Sequence, residues 1–276
     1  TRLEVVKMTY NDITEFRDKT VIKANELIQR SRFNLSLQEQ KVILYLISQI
    51  EYADTDFKLY DFSIVDFCRV CGIETDNGKN YINLKNTLKE IADKSVWIKL
   101  DDKRETIVRW IEKPYIDYGS GIVQIKLDKD MKPFLLQLKE KYTQYELIYT
   151  LHFKSKYTIR LYEFINSIHF HELDNYEKVF DIEELKRILG AENYKQTRDF
   201  KKRAFLPAVK EINLYSDKDL QFEEITRGRK ITHLKLIIGT KEITDRLKIR
   251  AEIEKEMGAP QLTLWNRLAE DSDNGK

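Results

Sequence analysis

One predicted helix carries a high concentration of positive charge. The stretch Asn193–Lys210 holds six Lys or Arg residues against one acid, Asp199. Most of these cations precede an apolar stripe, on turns where a helix would protrude from a core and enter the DNA major groove. Lysine and arginine can reach phosphates or guanine O6 and N7 there, and glutamine can read adenine. The candidate DNA-contacting residues of this helix are Lys195, Gln196, Arg198, Lys201, Lys202 and Arg203.

A second basic cluster follows in a predicted hairpin. Leu220–Ile238 alternates as a hairpin does, and its turn contains Arg227, Arg229 and Lys230. Such a turn can contact phosphates or the minor groove beside a helix in the major groove. Pro207, inside the basic helix, predicts a kink or two shorter helices. A solvated basic face is the alternative, but the presence of charge on both helix and turn favours DNA binding.

A weaker version of this surface is predicted in the first half of the chain. The polar residues around its third predicted helix are Lys79, Asn80, Asn83, Lys85, Asn86 and Lys89. Asparagine can read adenine, but near a helix start it is also an ordinary cap. Because Glu90 and Asp93 dilute the positive charge, two interpretations stay open: an auxiliary DNA contact and a protein–protein contact.

Patterns that would indicate catalysis are weak. No Gly-x-x-x-x-Gly-Lys-Ser/Thr motif occurs, so a P-loop ATPase has no support. Cys68 and Cys71 have the spacing of a zinc or redox pair, but no second cysteine pair or nearby histidine completes four ligands. Both cysteines extend the apolar face of Phe67 and Val70, which predicts core packing. We expect no metal site and no cofactor.

A rolling-circle nickase is the enzymatic alternative. Such enzymes hold a divalent metal with a His-hydrophobic-His pair and attack a DNA phosphate with a tyrosine. Here His169 and His171 form the pair, and Tyr215 begins a Tyr-x-x-Lys sequence. The pair would have to share one face of a strand. It instead ends an apolar helical pattern, Tyr157–Ile168, so we expect the two rings to diverge and the protein not to be an enzyme.

The elements that would position these residues occur twice. Three predicted helices precede β-hairpins in the first half, which is the order of a winged helix; the first helix begins with a capping box at Ser36 and Glu39. Three sets of apolar positions then recur at a nearly constant offset. The sets begin with Leu44 and Leu161, with Phe62 and Phe180, and with Leu84 and Phe205. The sequence therefore predicts two copies of one fold.

Composition limits the class of protein. The chain has 276 residues, of which 42% are hydrophobic, and 48 Lys and Arg nearly balance 46 Asp and Glu. No run approaches the ~20 apolar residues of a membrane helix. Two cysteines cannot staple a secreted fold. We expect a cytoplasmic protein without membrane contact. Its basic residues are concentrated on one face, and acidic residues elsewhere in the chain balance their charge.

The predicted fold class is α+β, with tandem duplicated winged-helix domains related by a pseudo-two-fold axis. Residues 1–131 form the first domain, for dimerisation and auxiliary DNA contact. Residues 132–241 form the second, the main DNA-binding domain, and residues 242–276 form a C-terminal helix and tail. The connector is predicted to be a helical stretch over Lys132–Leu151, which has few helix breakers beyond Pro133.

Four segments resemble iteron-type plasmid replication initiator proteins. The segments are Val21–Ile28, Leu35–Lys41, Ser155–Glu163 and Phe205–Asn213. The resemblance covers about Val21 to Ile238. It implies that two winged-helix domains bind double-stranded, repeated origin DNA, with most sequence-specific contacts in the second domain. It also implies that the protein is in monomer–dimer balance, that dimers act as autorepressors, and that host replication proteins are recruited. A transcriptional repressor, which needs the same surface, and an interaction scaffold stay as alternatives.

A short peptide pattern lies in the C-terminal tail. It consists of Gln261, Leu262, Thr263, Leu264 and Trp265. This Gln-Leu-polar-Leu-aromatic order looks like the sliding-clamp-binding peptide of bacterial replication proteins, in which apolar anchors fill a preformed groove. The alternative is a terminal helix that packs its leucine and tryptophan on its own domain.

Overall fold

The computed structural model describes residues 8–73, 79–117, 119–169 and 175–258. The helices of the first half are α1 (Tyr10–Arg17), α2 (Asn25–Gln29), α3 (Leu37–Ile47), α4 (Ile64–Val70) and α5 (Lys79–Asp93). Its strands are β1 (Thr20–Ala24), β2 (Ser31–Arg32), β3 (Tyr60–Ser63), β4 (Ser95–Lys99), β5 (Glu105–Arg109), β6 (Tyr115–Asp117) and β7 (Ile122–Ile125).

The second half follows after a short 3₁₀ turn at Lys129–Met131. Its helices are α6 (Lys132–Leu135), α7 (Leu147–His152), α8 (Lys156–Ile168), α9 (Ile182–Leu189), α10 (Thr197–Phe200), α11 (Leu206–Tyr215) and α12 (Ile243–Glu256). Its strands are β8 (Tyr142–Glu146), β9 (Tyr176–Asp181), β10 (Lys218–Arg227) and β11 (Lys230–Thr240). A π-helical turn at Lys201–Phe205 joins α10 to α11.

Both halves contain the same three-stranded sheet, which confirms the tandem winged-helix fold. In the second half the strand order is β10-β11-β9, and in the first it is β6-β7-β3. The β6–β7 hairpin is therefore the wing of the first copy. The β4–β5 hairpin pairs instead with β2 and has no counterpart in the described part of the second copy.

Local sequence signals explain where the repeated helices begin and end. The Ser36 N–H donates to Glu39 Oε2 at 2.5 Å and the Glu39 N–H donates to Ser36 Oγ at 3.3 Å, so the predicted capping box starts α3. Gly72 after α4 and Gly190 after α9 adopt left-handed φ values of 63° and 66°. Glycine occupies this conformation without a Cβ clash, so it ends both equivalent helices.

The predicted helical connector over Lys132–Leu151 is wrong. Only α6 and α7 are helical there, and β8 between them pairs antiparallel with β1. Helix α6 ends before Leu136, whose backbone is extended (φ −111°, ψ 142°), and left-handed φ values of 50° and 51° follow at Gln137 and Lys141. Strand β8 alternates exposed and buried residues, which is the period of two of a strand and not the period of a helix. The domain division at residue 131 stays a prediction.

Buried contacts join the two halves across one apolar core. Lys23 on β1 donates to Glu163 Oε1 on α8 at 2.5 Å, and the Tyr145 hydroxyl donates to the same oxygen. Removal from water lowers the pKa of Lys23 and raises that of Tyr145. Both ends of the pair lie in segments that resemble the initiator family. No helix in the described ranges is long and apolar enough to span a bilayer.

Candidate nucleic-acid interface

The basic helix of the second copy runs through α10, the π-helical turn and α11. Its buried face consists of Phe200, Ala204, Phe205, Ala208, Val209 and Ile212. Arg198, Lys202 and Arg203 are exposed on the opposite side. The packing of an apolar face against the core thus presents the cations to solvent, as the sequence predicts.

Pro207 does not divide this helix. Phe200, Lys201 and Leu206 all keep right-handed helical dihedral angles, and the Leu206 N–H donates to the Lys201 carbonyl five residues back. A proline ring collides with the carbonyl four residues earlier in a regular helix. The wider turn just before Pro207 accommodates the ring, so the basic helix continues through a π-helical turn instead of ending as two separate helices, and the kink stays a prediction.

The wing of the second copy is the long β10–β11 hairpin. Arg227 pairs with Lys230 across a two-residue turn, in which Gly228 has φ 65°. A shift in strand register after Ile225 is a β-bulge, which bends a hairpin. All three predicted wing cations, including Arg229, are exposed.

Helix and wing together line one open groove. The predicted residues in it are Lys195, Gln196, Arg198, Lys201, Lys202, Arg229 and Lys230. Two predicted residues, Arg203 and Arg227, are exposed but do not line it. Sequence reasoning did not single out Thr197, Leu206 or Thr232, which do line it. Two acids at the start of α9, Asp181 and Glu183, also line the groove. The Asp181 carboxylate accepts a hydrogen bond from the Glu183 N–H at 2.8 Å and so caps this helix.

Lys201 differs from the other groove cations. Its ammonium donates to Glu224 Oε1 on β10, and its side chain is 17% exposed. The glutamate already balances this charge, so Lys201 attracts a phosphate less than the exposed Lys202 does. The sequence alone does not indicate this ion pair, because Lys201 and Glu224 lie on different elements that are distant in the chain.

The corresponding surface of the first copy is less basic. Asn83, Lys85, Asn86 and Lys89 are exposed on α5. The side chains of Lys79 and Asn80 lie outside the described residues. The turn between β6 and β7 contains no Lys or Arg, and Asp117 accepts there from the Gly119 N–H at 2.8 Å. The first wing therefore lacks the cations of the second.

The remaining candidates have ordinary structural surroundings or lie outside the described residues. Cys68 and Cys71 are buried free thiols, which confirms core packing, and burial raises their pKa to about 11 and about 12. His169 Nδ1 lies 3.5 Å from the Lys218 ammonium, and the Tyr215 ring packs on His152 at 4.3 Å. Tyr215 ends α11 rather than lying in the turn after it. The second histidine of the nickase pattern, His171, lies outside the described residues, as do all five residues of the tail peptide, Gln261–Trp265.

Comparisons with known proteins agree with this geometry. A family model described as Initiator Replication protein, WH1, matches residues 20–166, and one described as Initiator Rep protein, WH2, matches residues 181–238. The chain belongs to this initiator family. Both matched regions are winged-helix domains, and the resemblance seen in the sequence is confirmed. The matches end before α12, which follows the second wing.

Two individual proteins extend the comparison. The chain is 25% identical over 244 residues to a replication initiation protein of Escherichia coli, which covers 86% of this chain and 71% of that protein. It also superimposes on the crystal structure of Pi initiator protein in complex with iteron DNA, with a TM-score of 0.68 and 19% identity. That match covers 82% of this chain and 99% of the other. At this identity the superposition shows the shared fold of the initiator family.

Proposed function

We propose that this initiator starts plasmid replication by binding double-stranded origin repeats sequence-specifically, mainly through its second winged-helix domain. The groove between the basic helix and the wing carries the proposal, because it gathers seven of the nine predicted residues of that domain on one surface. A helix that projects cations suits the major groove, and the wing suits the adjoining phosphates. The iteron complex of the Pi initiator, which has the same fold, supports repeated origin DNA as the ligand.

The first domain supplies an auxiliary contact in this proposal. Its exposed Asn and Lys residues on α5 can reach a neighbouring groove, while its wing, without Lys or Arg in the turn, adds little to phosphate binding. Two linked modules on successive grooves gain affinity because the second contact is intramolecular. The dominant share of the second domain follows from its higher positive charge.

Self-association is proposed through the β4–β5 hairpin of the first domain. Trp97 and Ile107 lie directly opposite each other in the strand register, and they are 45% and 50% exposed. Strand β5 lies at the edge of its sheet, so a second copy can extend the sheet while covering these side chains. A face of this kind suits an isologous dimer.

Recruitment of host replication proteins completes the proposal. The Gln261–Trp265 pattern supports a contact with the sliding clamp. The protein acts in the cytoplasm, without a cofactor and without a catalytic site of its own. Removing the pentapeptide is expected to leave DNA binding intact and to reduce clamp retention in a pull-down; unchanged retention contradicts the clamp contact.

The decisive experiment compares footprinting with replication in trans. The purified protein is expected to protect the direct repeats of its own origin, and affinity is expected to fall by roughly 10³–10⁵ between 50 and 200 mM salt if six to ten phosphates are contacted. A nearly flat salt dependence contradicts the proposed surface. A plasmid that carries the repeats but lacks the gene is expected to replicate only when the protein is supplied; protection without replication indicates a repressor.

A further inference from the structure

An exposed leucine stands within the basic groove of the second domain. Leu206, the first residue of α11, is 40% exposed and lines the groove with Lys202 and Arg229. The other two aliphatic side chains of the groove, Ile182 and Ile231, are more buried. Exposed apolar surface among cations costs free energy in water, so a ligand that covers this side chain gains from the contact.

The π-helical turn shifts the buried face of this helix, and the leucine lies outside that face. Phe200 and Phe205, five residues apart, are both fully buried. In a regular helix the residue seven positions after Phe200 would share its buried face, and that residue is Pro207. The extra residue of the wide turn shifts the buried face to Phe205 and Ala208. Leu206 therefore points away from the core, on the side of Lys202.

The DNA major groove offers one apolar group to such a side chain. All four bases present hydrogen-bond donors or acceptors there, and thymine alone also presents a C5-methyl group. Leu206 lies four residues after Lys202, less than about 6 Å along the helix axis, because a π-helical turn rises less per residue than the ~1.5 Å of an α-helix. That distance is under two base-pair steps of about 3.4 Å, so the leucine and the lysine can contact neighbouring base pairs.

We infer that Leu206 is a specificity residue that contacts a thymine C5-methyl group in the recognised repeat. This inference rests on the proposed DNA-binding function and deepens it, because the surrounding cations alone attract any duplex. In the first domain the position that matches Leu206 in the sequence repeat is Lys85. The two recognition helices thus present different chemistry to DNA at this position, and the thymine contact is specific to the second domain.

Thymine-to-uracil replacement removes only the methyl group and therefore tests the contact directly. Each thymine of one origin repeat is replaced in turn, and binding of the full chain is measured by fluorescence anisotropy. One or two replacements are expected to weaken binding about fourfold, the value for one buried methylene-sized group. With Leu206→Ala, binding to the thymine repeat is expected to weaken similarly, and the thymine–uracil difference at that position is expected to disappear.

Leu214→Ala is the matched control. Leu214 lies on the same helix, is 48% exposed and does not line the groove, so this variant is expected to keep the thymine–uracil difference. Urea unfolding of both variants verifies that they are folded. If the protein binds the repeat but no uracil replacement has any effect, or if Leu206→Ala keeps the difference, the thymine contact is overturned. If the repeat is bound no better than a scrambled duplex, the proposed function fails instead.

Discussion

Replacing Arg17 by methionine is expected to destabilise the protein strongly, although this arginine is far from the DNA-binding groove in sequence. Its guanidinium is 1% exposed and donates to Glu254 Oε2 on α12 at 2.7 Å. It also donates to the carbonyls of Val70 at 3.0 Å and Arg69 at 2.6 Å. Helix α12, which follows the second wing, is thereby held on the first half of the chain.

The expected loss of unfolding free energy follows from the burial of this ion pair. Removing one partner of a buried ion pair leaves an uncompensated charge and costs about 3–5 kcal/mol. In Arg17→Met the Glu254 carboxylate, 11% exposed, loses its counter-ion, and the carbonyls lose their donor. The double variant Arg17→Met with Glu254→Met removes both charges, so we expect it to recover at least about 2 kcal/mol of that loss.

Urea unfolding followed by tryptophan fluorescence measures these differences. Helix α12 provides its own control in Lys248 and Asp245, whose 3.1 Å ion pair is largely exposed. Lys248→Met is expected to cost under about 0.5 kcal/mol. If Arg17→Met costs no more than Lys248→Met, α12 is not held by this buried pair and the reasoning is refuted.

Three further outcomes are expected. Burial lowers the pKa of His152 to about 4, below its unfolded value. The folded protein therefore favours the neutral ring, and about 2 kcal/mol of stability present at pH 7 is lost by pH 5, a loss that His152→Phe removes; an unchanged pH slope in that variant contradicts the assignment. Lys202→Ala is expected to reduce the salt slope of DNA binding by about 1, and Lys201→Ala, with its charge balanced by Glu224, by less; equal slopes contradict the role of this pair. Trp97→Ser is expected to lower the dimer fraction in sedimentation without changing unfolding by urea, and an unchanged dimer fraction contradicts the proposed dimer face.

The features that the sequence predicted correctly depend on short spacings. The capping box of Ser36 and Glu39 needs only neighbouring residues, and the apolar stripe of α11 needs only helical periodicity. The duplication was detectable because apolar positions recurred in order. The DNA contacts of the nine candidate residues stay a prediction; seven of these residues line one groove because the fold brings the basic helix and the hairpin turn together.

The features that were missed depend on partners distant in sequence. Strand β8 exists because β1 pairs with it across more than one hundred residues, and a local pattern of few helix breakers could not reveal that. The ion pair of Lys201 with Glu224 joins two different elements, and we expect it to weaken Lys201 as a phosphate contact. The π-helical turn arises from the conflict between Pro207 and a helix that packing keeps continuous.

In the proposed two-domain contact with DNA, we expect helix α12 to matter because it holds the two modules in one geometry. A bivalent contact gains affinity only when both modules fit successive grooves at once, and free rotation between them reduces that gain. The buried pair of Arg17 with Glu254 connects the first half of the chain to α12, and α12 packs against α11. Because this pair is buried, its geometry is set before DNA arrives. In the proposed two-domain contact the spacing of the two recognition helices is then a property of the folded protein, and we expect it to select repeats whose grooves are separated by the same distance.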